Sequence, residues 1–315
     1  MNPDADPSGP GLTEAIVAWA AIGVVAVLVW ITYARLPARD FYNVTGTGFT
    51  AGASRVLVLL GWPMSIAAVA LVGVAADRLL ASRPSRGLRR ATIAAAAVAT
   101  VLCATIAWPG VIDEADLDAK PSNGLAAIGV GIALALTLAA VRRAGIGAYV
   151  RNRPGDRAAV VFIVLLLLAG IPWILANVGV YAGDVPGLGT VFMSKQILPE
   201  PGHPDLHAVH LGNHEGLDGI LLAAIALGLR RVLPAMRPTR LRGVMAFYLA
   251  LVLAYGSMVA LNDGWNEQLV KRGWTGVKMP NVLNPGPNPS TALLLAITVA
   301  LFFAAFRVRP ERRLQ

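Results

Sequence analysis

Apolar residues in this chain gather in long unbroken runs and do not alternate with polar ones. Eight such runs, Leu12–Tyr33, Val56–Ala76, Ala91–Trp108, Leu125–Val141, Ala158–Val178, His210–Leu229, Val244–Leu261 and Thr291–Phe306, punctuate the sequence. Each is long enough, or nearly so, to cross a hydrocarbon core of about 30 Å as a helix, which takes roughly 20 residues. The pattern predicts an all-α, polytopic membrane helix bundle of about eight transmembrane helices, forming one domain over residues 12–306. A disordered tail, Met1–Gly11, is expected before it and a basic cytoplasmic tail, Arg307–Gln315, after it. "GWP" at Gly61–Pro63 and "GIPW" at Gly170–Trp173 put a proline inside the second and fifth runs, where both helices should kink. Gly124, Gly129 and Gly131 in the fourth run would let neighbouring helices approach closely. No convincing repeat relates the two halves.

Composition agrees, with 56% of residues apolar, 14% charged and a mean hydropathy of +0.62. The net charge of +9 has a topological cause, because 19 of the 27 Lys and Arg follow the second, fourth, sixth and eighth runs. The positive-inside rule assigns that face to the cytoplasm, with both termini there and loops one, three, five and seven outward. Loop one conflicts locally, carrying Arg35, Arg39 and Arg55 against a tail without Lys or Arg, and the arginines after span two decide the matter. Membrane lipid is thus the expected partner, and nucleic acid is not. The first run has no basic flank and is too long for a signal-peptide core, so it is expected to stay in the mature protein. Cys103, the single cysteine, cannot form an intramolecular disulfide. Ala-rich, Arg-over-Lys usage points to a bacterial inner membrane and leaves the glycosylation pattern Asn43-Val44-Thr45 little weight.

Candidate chemistry lies on the outward side. All four histidines, His203, His207, His210 and His214, fall within "HPDLHAVHLGNHEGLDG". Only thirteen residues, Leu217 to Leu229, all apolar or glycine but for Asp218, make up the apolar run before Arg230. At about 1.5 Å per residue that run is too short to cross, so Asp218, Glu215, His214 and, one turn back, His210 should be drawn into the outer part of the membrane. His207, His210, His214 and Asp218 are spaced to share one helical stripe, although Pro204, Gly212 and Gly216 interrupt it. His207, His210 and His214 are therefore candidate metal ligands, with Zn²⁺ the expected ion, and Glu215 and Asp218 candidate catalytic carboxylates. The alternatives are a metal-free polar or proton-handling pocket and solvated loop histidines. His214-Glu215 begins as an HExxH motif would, but Asp218 stands where the second histidine belongs.

His203, Asn177, Tyr181, Asp184, Tyr255, Asp263 and Glu267 are candidates to line or support that site, with helix capping the plainer reading of Asn177 and Tyr181. Lys271 and Arg272, beside Trp265 and Trp274, are candidates to hold a lipid headgroup or to anchor at the interface. Neither a nucleotide nor haem is expected, since there is no Gly-rich phosphate loop and the imidazoles all come from one segment. Three functions follow. The first is an outward-facing metal-dependent enzyme acting on a lipid or lipid-linked substrate. The second is a transporter or channel using Asp218 and the outer polar cluster, which the apolar span centres disfavour. The third is a non-catalytic, pH-sensing or assembly protein that would need a membrane-protein partner.

Overall fold

The computed structural model describes residues 12–108, 111–112, 116–146, 155–183, 193–199, 204–236, 239–280, 282–283 and 286–307. Both tails, apart from Arg307, lie outside these residues, as do His203 and Asp184. Among the described residues the regular structure is helical, with two isolated β-bridges, Phe41 to Leu211 and Ile197 to His207. Ten α-helices follow in order: α1 (Thr13–Arg35), α2 (Gly48–Leu59), α3 (Ser65–Ala81), α4 (Arg86–Ala104), α5 (Pro121–Ala144), α6 (Asp156–Ala169), α7 (Ile171–Asn177), α8 (Glu215–Arg230), α9 (Thr239–Asp263) and α10 (Pro289–Leu301).

Among the described residues six helices are long and apolar enough to cross a membrane: α1, the joined α2–α3, α4, α5, α9 with its extension, and α10 with its extension. The pair α6–α7, bent by 63°, makes a seventh if taken as one crossing. The expected sixth span, α8, has 16 residues, about 24 Å at about 1.5 Å per residue, and begins at Glu215 instead of His210. Gly212 adopts φ +106°, open to glycine but strained for other residues, and His214 is extended, so no helix reaches back through the histidines.

Both proline signals mark real breaks. Trp62, between α2 and α3, leaves the helical region altogether (φ −156°, ψ 133°). Pro172 opens α7 directly after the bend. The expected seventh loop starts later than the apolar run implies, because α9 continues into a π-helical turn, Gly264–Val270. Beyond it the chain folds back, with Trp265 Nε1 donating to the Val277 carbonyl at 2.7 Å.

The core lies where α3, α8 and α9 meet, around Met64, Leu71, Leu222 and Leu249, all essentially inaccessible. α1, α4, α6 and α10 present valines, leucines and isoleucines outward, as a lipid-facing surface requires. At the arginine-rich end, Arg230 pairs with Asp156 at 3.1 Å, and Arg231 reaches Asp156 at 3.2 Å and Glu14 at 3.7 Å, tying α8 to the starts of α6 and α1. α8 crosses α9 closely through Gly219 and Gly256: a Cβ on Gly219 would stand 2.4 Å from the Gly256 carbonyl oxygen and 2.8 Å from the Ala260 nitrogen. Backbone atoms cannot swing aside. Gly219→Val is therefore expected to cost at least about 1–3 kcal/mol through overpacking. Gly228→Ala, with no atom within 4 Å of the added Cβ, should gain about 0.5–1 kcal/mol. Thermal unfolding in detergent compares the two, and a Gly219→Val protein as stable as the parent would contradict the close crossing.

Candidate functional site

At the end of the bundle opposite the arginines, α2, α5, α8 and α9 surround a cavity of about 260 Å³. Its charge is unbalanced. Asp116, Asp118, Glu215, Asp218, Asp263 and Glu267 line it against three cations, Arg55, Lys120 and Lys271, with His210 and His214 beside them. Asp116 lies 3.8 Å from Lys120, and Asp118 accepts hydrogen bonds from Thr45, which leaves the helix-borne acids of α8 and α9 to set the local field.

Those acids meet at the start of α8. The first turn of any helix leaves backbone N–H groups without intrahelical acceptors. The His214 carbonyl accepts from the nitrogens of Leu217 and Asp218. Asp263, from α9, accepts from Gly216 N at 2.6 Å, so a neighbouring helix supplies the carboxylate cap. Gly216 has to be small there, because a Cβ would fall 2.4 Å from the Trp173 ring and 2.7 Å from Asp263 Oδ2. One turn further along α9, the π-helical extension presents Glu267, whose Oε2 lies 3.2 Å from His214 Nδ1 and accepts from Trp173 Nε1 at 3.1 Å. Lys271 approaches its other oxygen at 3.6 Å.

The two imidazoles stack at 4.1 Å between centroids, and each engages a backbone carbonyl. His210 Nδ1 faces the Leu211 oxygen at 2.9 Å and His214 Nε2 faces the His210 oxygen at 2.7 Å. One atom from each of His210, His214 and Glu267 lies within 4.8 Å of the others. His214 is buried and His210 partly so, both just ahead of α8, and desolvation pushes His210 down to about 3, helped by the neighbouring charge of His214. Burial acts against protonation of His214 too. The carboxylates of Glu267 and Asp263 outweigh it and raise that group to about 9.

The other sequence candidates scatter. His207 is separated from the cluster, stacking on Tyr181 at 4.0 Å with its Nδ1 3.1 Å from the Lys195 oxygen. The helical stripe through His207, His210, His214 and Asp218 is therefore absent, since only Asp218 of the four is helical. Asp218 and Glu215 line the cavity from the first turn of α8. Asn177 is buried, and its carbonyl accepts from Thr32 at 2.6 Å, tying α7 to α1. Tyr255 supports the cavity from behind, accepting from Trp62 Nε1 at 3.1 Å and donating to the Leu283 oxygen at 3.1 Å. Lys271 lines the cavity, whereas Arg272 turns away and bonds Gln268, Gln196 and the Met193 carbonyl.

Sequence reasoning passed over Arg55, Asn213, Trp62 and Trp173 as site residues. Arg55, 6% exposed, donates to the Leu117 carbonyl at 2.5 Å and lies 5.0 Å above the Tyr33 ring. A buried arginine inside an otherwise apolar helix was the available signal. The two tryptophans sit in the proline motifs, which flagged the kinks but not what they aim.

Comparisons with protein-family models, with curated proteins and with solved structures found no match. What the chain is follows from its own residues: an apolar, helical, membrane-type protein with a buried His/Glu cluster at one end. The Trp173–Glu267 bond should be measurable. Trp173→Phe keeps the ring but removes a hydrogen bond to a carboxylate, and is expected to cost about 1–3 kcal/mol in thermal unfolding. An unchanged midpoint would mean that Glu267 is held by its cations alone.

Proposed function

We propose that this is an eight-span inner-membrane protein with both termini cytoplasmic, whose outward cavity is a metal-dependent hydrolytic site for a lipid or lipid-linked substrate. The observation that carries the reading is the anchoring of both imidazoles. A metal-binding histidine characteristically gives its second ring nitrogen to a backbone carbonyl or carboxylate. His210 and His214 do so, leaving His210 Nε2 and His214 Nδ1 to coordinate beside Glu267. Two imidazoles and one carboxylate with an open fourth position is a donor set suited to catalytic Zn²⁺. Glu267 takes the place that spacing alone had given to His207. The ion would supply Lewis acidity and a water of lowered pKa. Asp263, 3.9 Å from His214 Nδ1, would take that water's proton as the water oxygen bonds to the acyl or phosphoryl centre, and would return it to the leaving alcohol oxygen as the ester bond breaks, with Glu215 beside it.

The topology rests on the arginine count and on α8. A helix of about 24 Å crosses if its polar first turn is sheltered by α9, as the Gly216 to Asp263 bond allows. A second reading is favoured by one distance. At 3.2 Å, His214 Nδ1 and Glu267 are already within hydrogen-bond reach, so an imidazolium–carboxylate pair would hold a proton where the first reading puts an ion.

Elemental analysis of the purified protein separates the readings. About one transition metal per chain is expected in the parent and in His207→Ala, against less than a tenth of that in His214→Ala and in Glu267→Gln. Equal content in parent and Glu267→Gln, or none in either, would leave the proton-holding pair. Topology is read separately, from cysteines placed singly in a Cys103→Ala background. Membrane-impermeant thiol reagents applied to intact cells should label positions 46 and 275 but not 84. Labelling at 84 would reverse the orientation.

A further inference from the structure

We propose that the floor of the cavity, Asp218 and Asn213 at the start of α8, is a binding site for a primary ammonium group, a function beyond the metal reading and independent of it. Asp218 is 2% exposed and Asn213 9%. Asn213 Nδ2 donates to Asp218 Oδ2 at 2.7 Å, which fixes the pair and uses one oxygen. The remaining oxygens, Asp218 Oδ1 and Asn213 Oδ1, are buried without a hydrogen-bond partner among the described residues, and both residues line the cavity. A buried acceptor left unmet costs about 1–3 kcal/mol, more when charged, so the pair calls for a ligand that donates.

Charge narrows the class. The cavity carries six carboxylates against three Lys and Arg and a His214 whose protonated form Glu267 and Asp263 favour, and Arg55, whose charge acts on Asp218, bonds the Leu117 carbonyl and lies over the Tyr33 ring. A neutral hydroxyl brings one donor to two unpartnered oxygens. A hard metal cation would ask for six or more oxygens where two stand unpartnered. A primary ammonium brings three donors and a positive charge on one atom, and the rings of Trp62 and Tyr42 in the same wall suit a cation. Its source is either a soluble amine or the aminoethyl headgroup of a phospholipid in the outer leaflet.

The test uses chelator-stripped protein in phosphatidylcholine nanodiscs, so metal occupancy plays no part and failure here leaves the metal reading standing. Thermal midpoints are followed against ethylammonium, tetramethylammonium and sodium at constant ionic strength, and in discs where phosphatidylethanolamine replaces part of the phosphatidylcholine. A saturable rise with ethylammonium, with phosphatidylethanolamine or with both is expected, and the responding arm identifies the source. Tetramethylammonium, equally charged but without N–H donors, and sodium should produce none. Asp218→Asn should weaken the response at least tenfold, and Asn213→Ala severalfold. Absence of a response in both amine arms, or an equal response to tetramethylammonium or sodium, overturns the proposal, and that comparison needs only the parent protein should the variants fail to fold.

Discussion

A helix whose first turn is buried must find acceptors for backbone N–H groups that have none within the helix, and the polar end of α8 is where the bundle meets that constraint. Its unpaired N–H groups and the positive end of its dipole cannot be given to water or to lipid at no cost. α9 answers by extending past the length of its apolar run, so that Asp263 accepts from Gly216 and Glu267 pairs with His214. The gathering of acids at one end of the chain therefore has a structural cause before it has a chemical one. Carboxylates from α9 complete α8, and the imidazoles buried with them are held at fixed orientation by backbone carbonyls.

The two proline motifs serve the same end. Had α2 and α3 formed one continuous helix, Trp62 would project at regular helical spacing; the break turns it into the cavity wall and onto the Tyr255 hydroxyl. Likewise the 63° bend between α6 and α7 brings Trp173 against Gly216 and Glu267. With the π-helical turn at the end of α9, three departures from straight helix converge on one volume. Each sacrifices ideal backbone hydrogen bonding, and each places a side chain that a regular helix would have aimed elsewhere.

Legibility in the sequence follows the range of the forces. Apolar runs report lipid exposure residue by residue, so α1, α4, α5 and α10 were readable to within a few residues at either end. Proline acts on its own turn, and both breaks fell where "GWP" and "GIPW" stand. The boundary of α8 was misplaced because the run from Leu217 is too short to cross and reaching the length takes polar turns back to His210, while Gly212 and the extended His214 decide the conformation there. Asp263 and Glu267 could be named as candidates from their position after an apolar run. Their pairing with His214 joins residues about fifty positions apart, and Trp173 joins Glu267 across 94. No local pattern encodes which of several outward acids will meet which histidine. His207 illustrates the converse: ideal spacing from His210 carried no information once the chain between them was not helical.

The two ends of the bundle handle buried charge differently, and the contrast locates where chemistry can occur. At the arginine-rich end Arg230 and Arg231 share Asp156, and Arg231 also answers Glu14, so cations and anions are matched and the helices α1, α6 and α8 are fastened by the match. That network balances charge without meeting every acceptor, since both Glu14 carboxylate oxygens are buried without a hydrogen bond and face Arg231 only as an ion pair. At the other end the count of acids exceeds that of cations, a buried carboxylate oxygen and a buried amide oxygen stay unmet, and space remains beside them. Burying charge without full compensation lowers stability, and a fold tolerates it where something outside the chain completes the set. The arginine end thus fastens helices to one another, and the cavity end leaves acceptors and space that the chain itself does not fill.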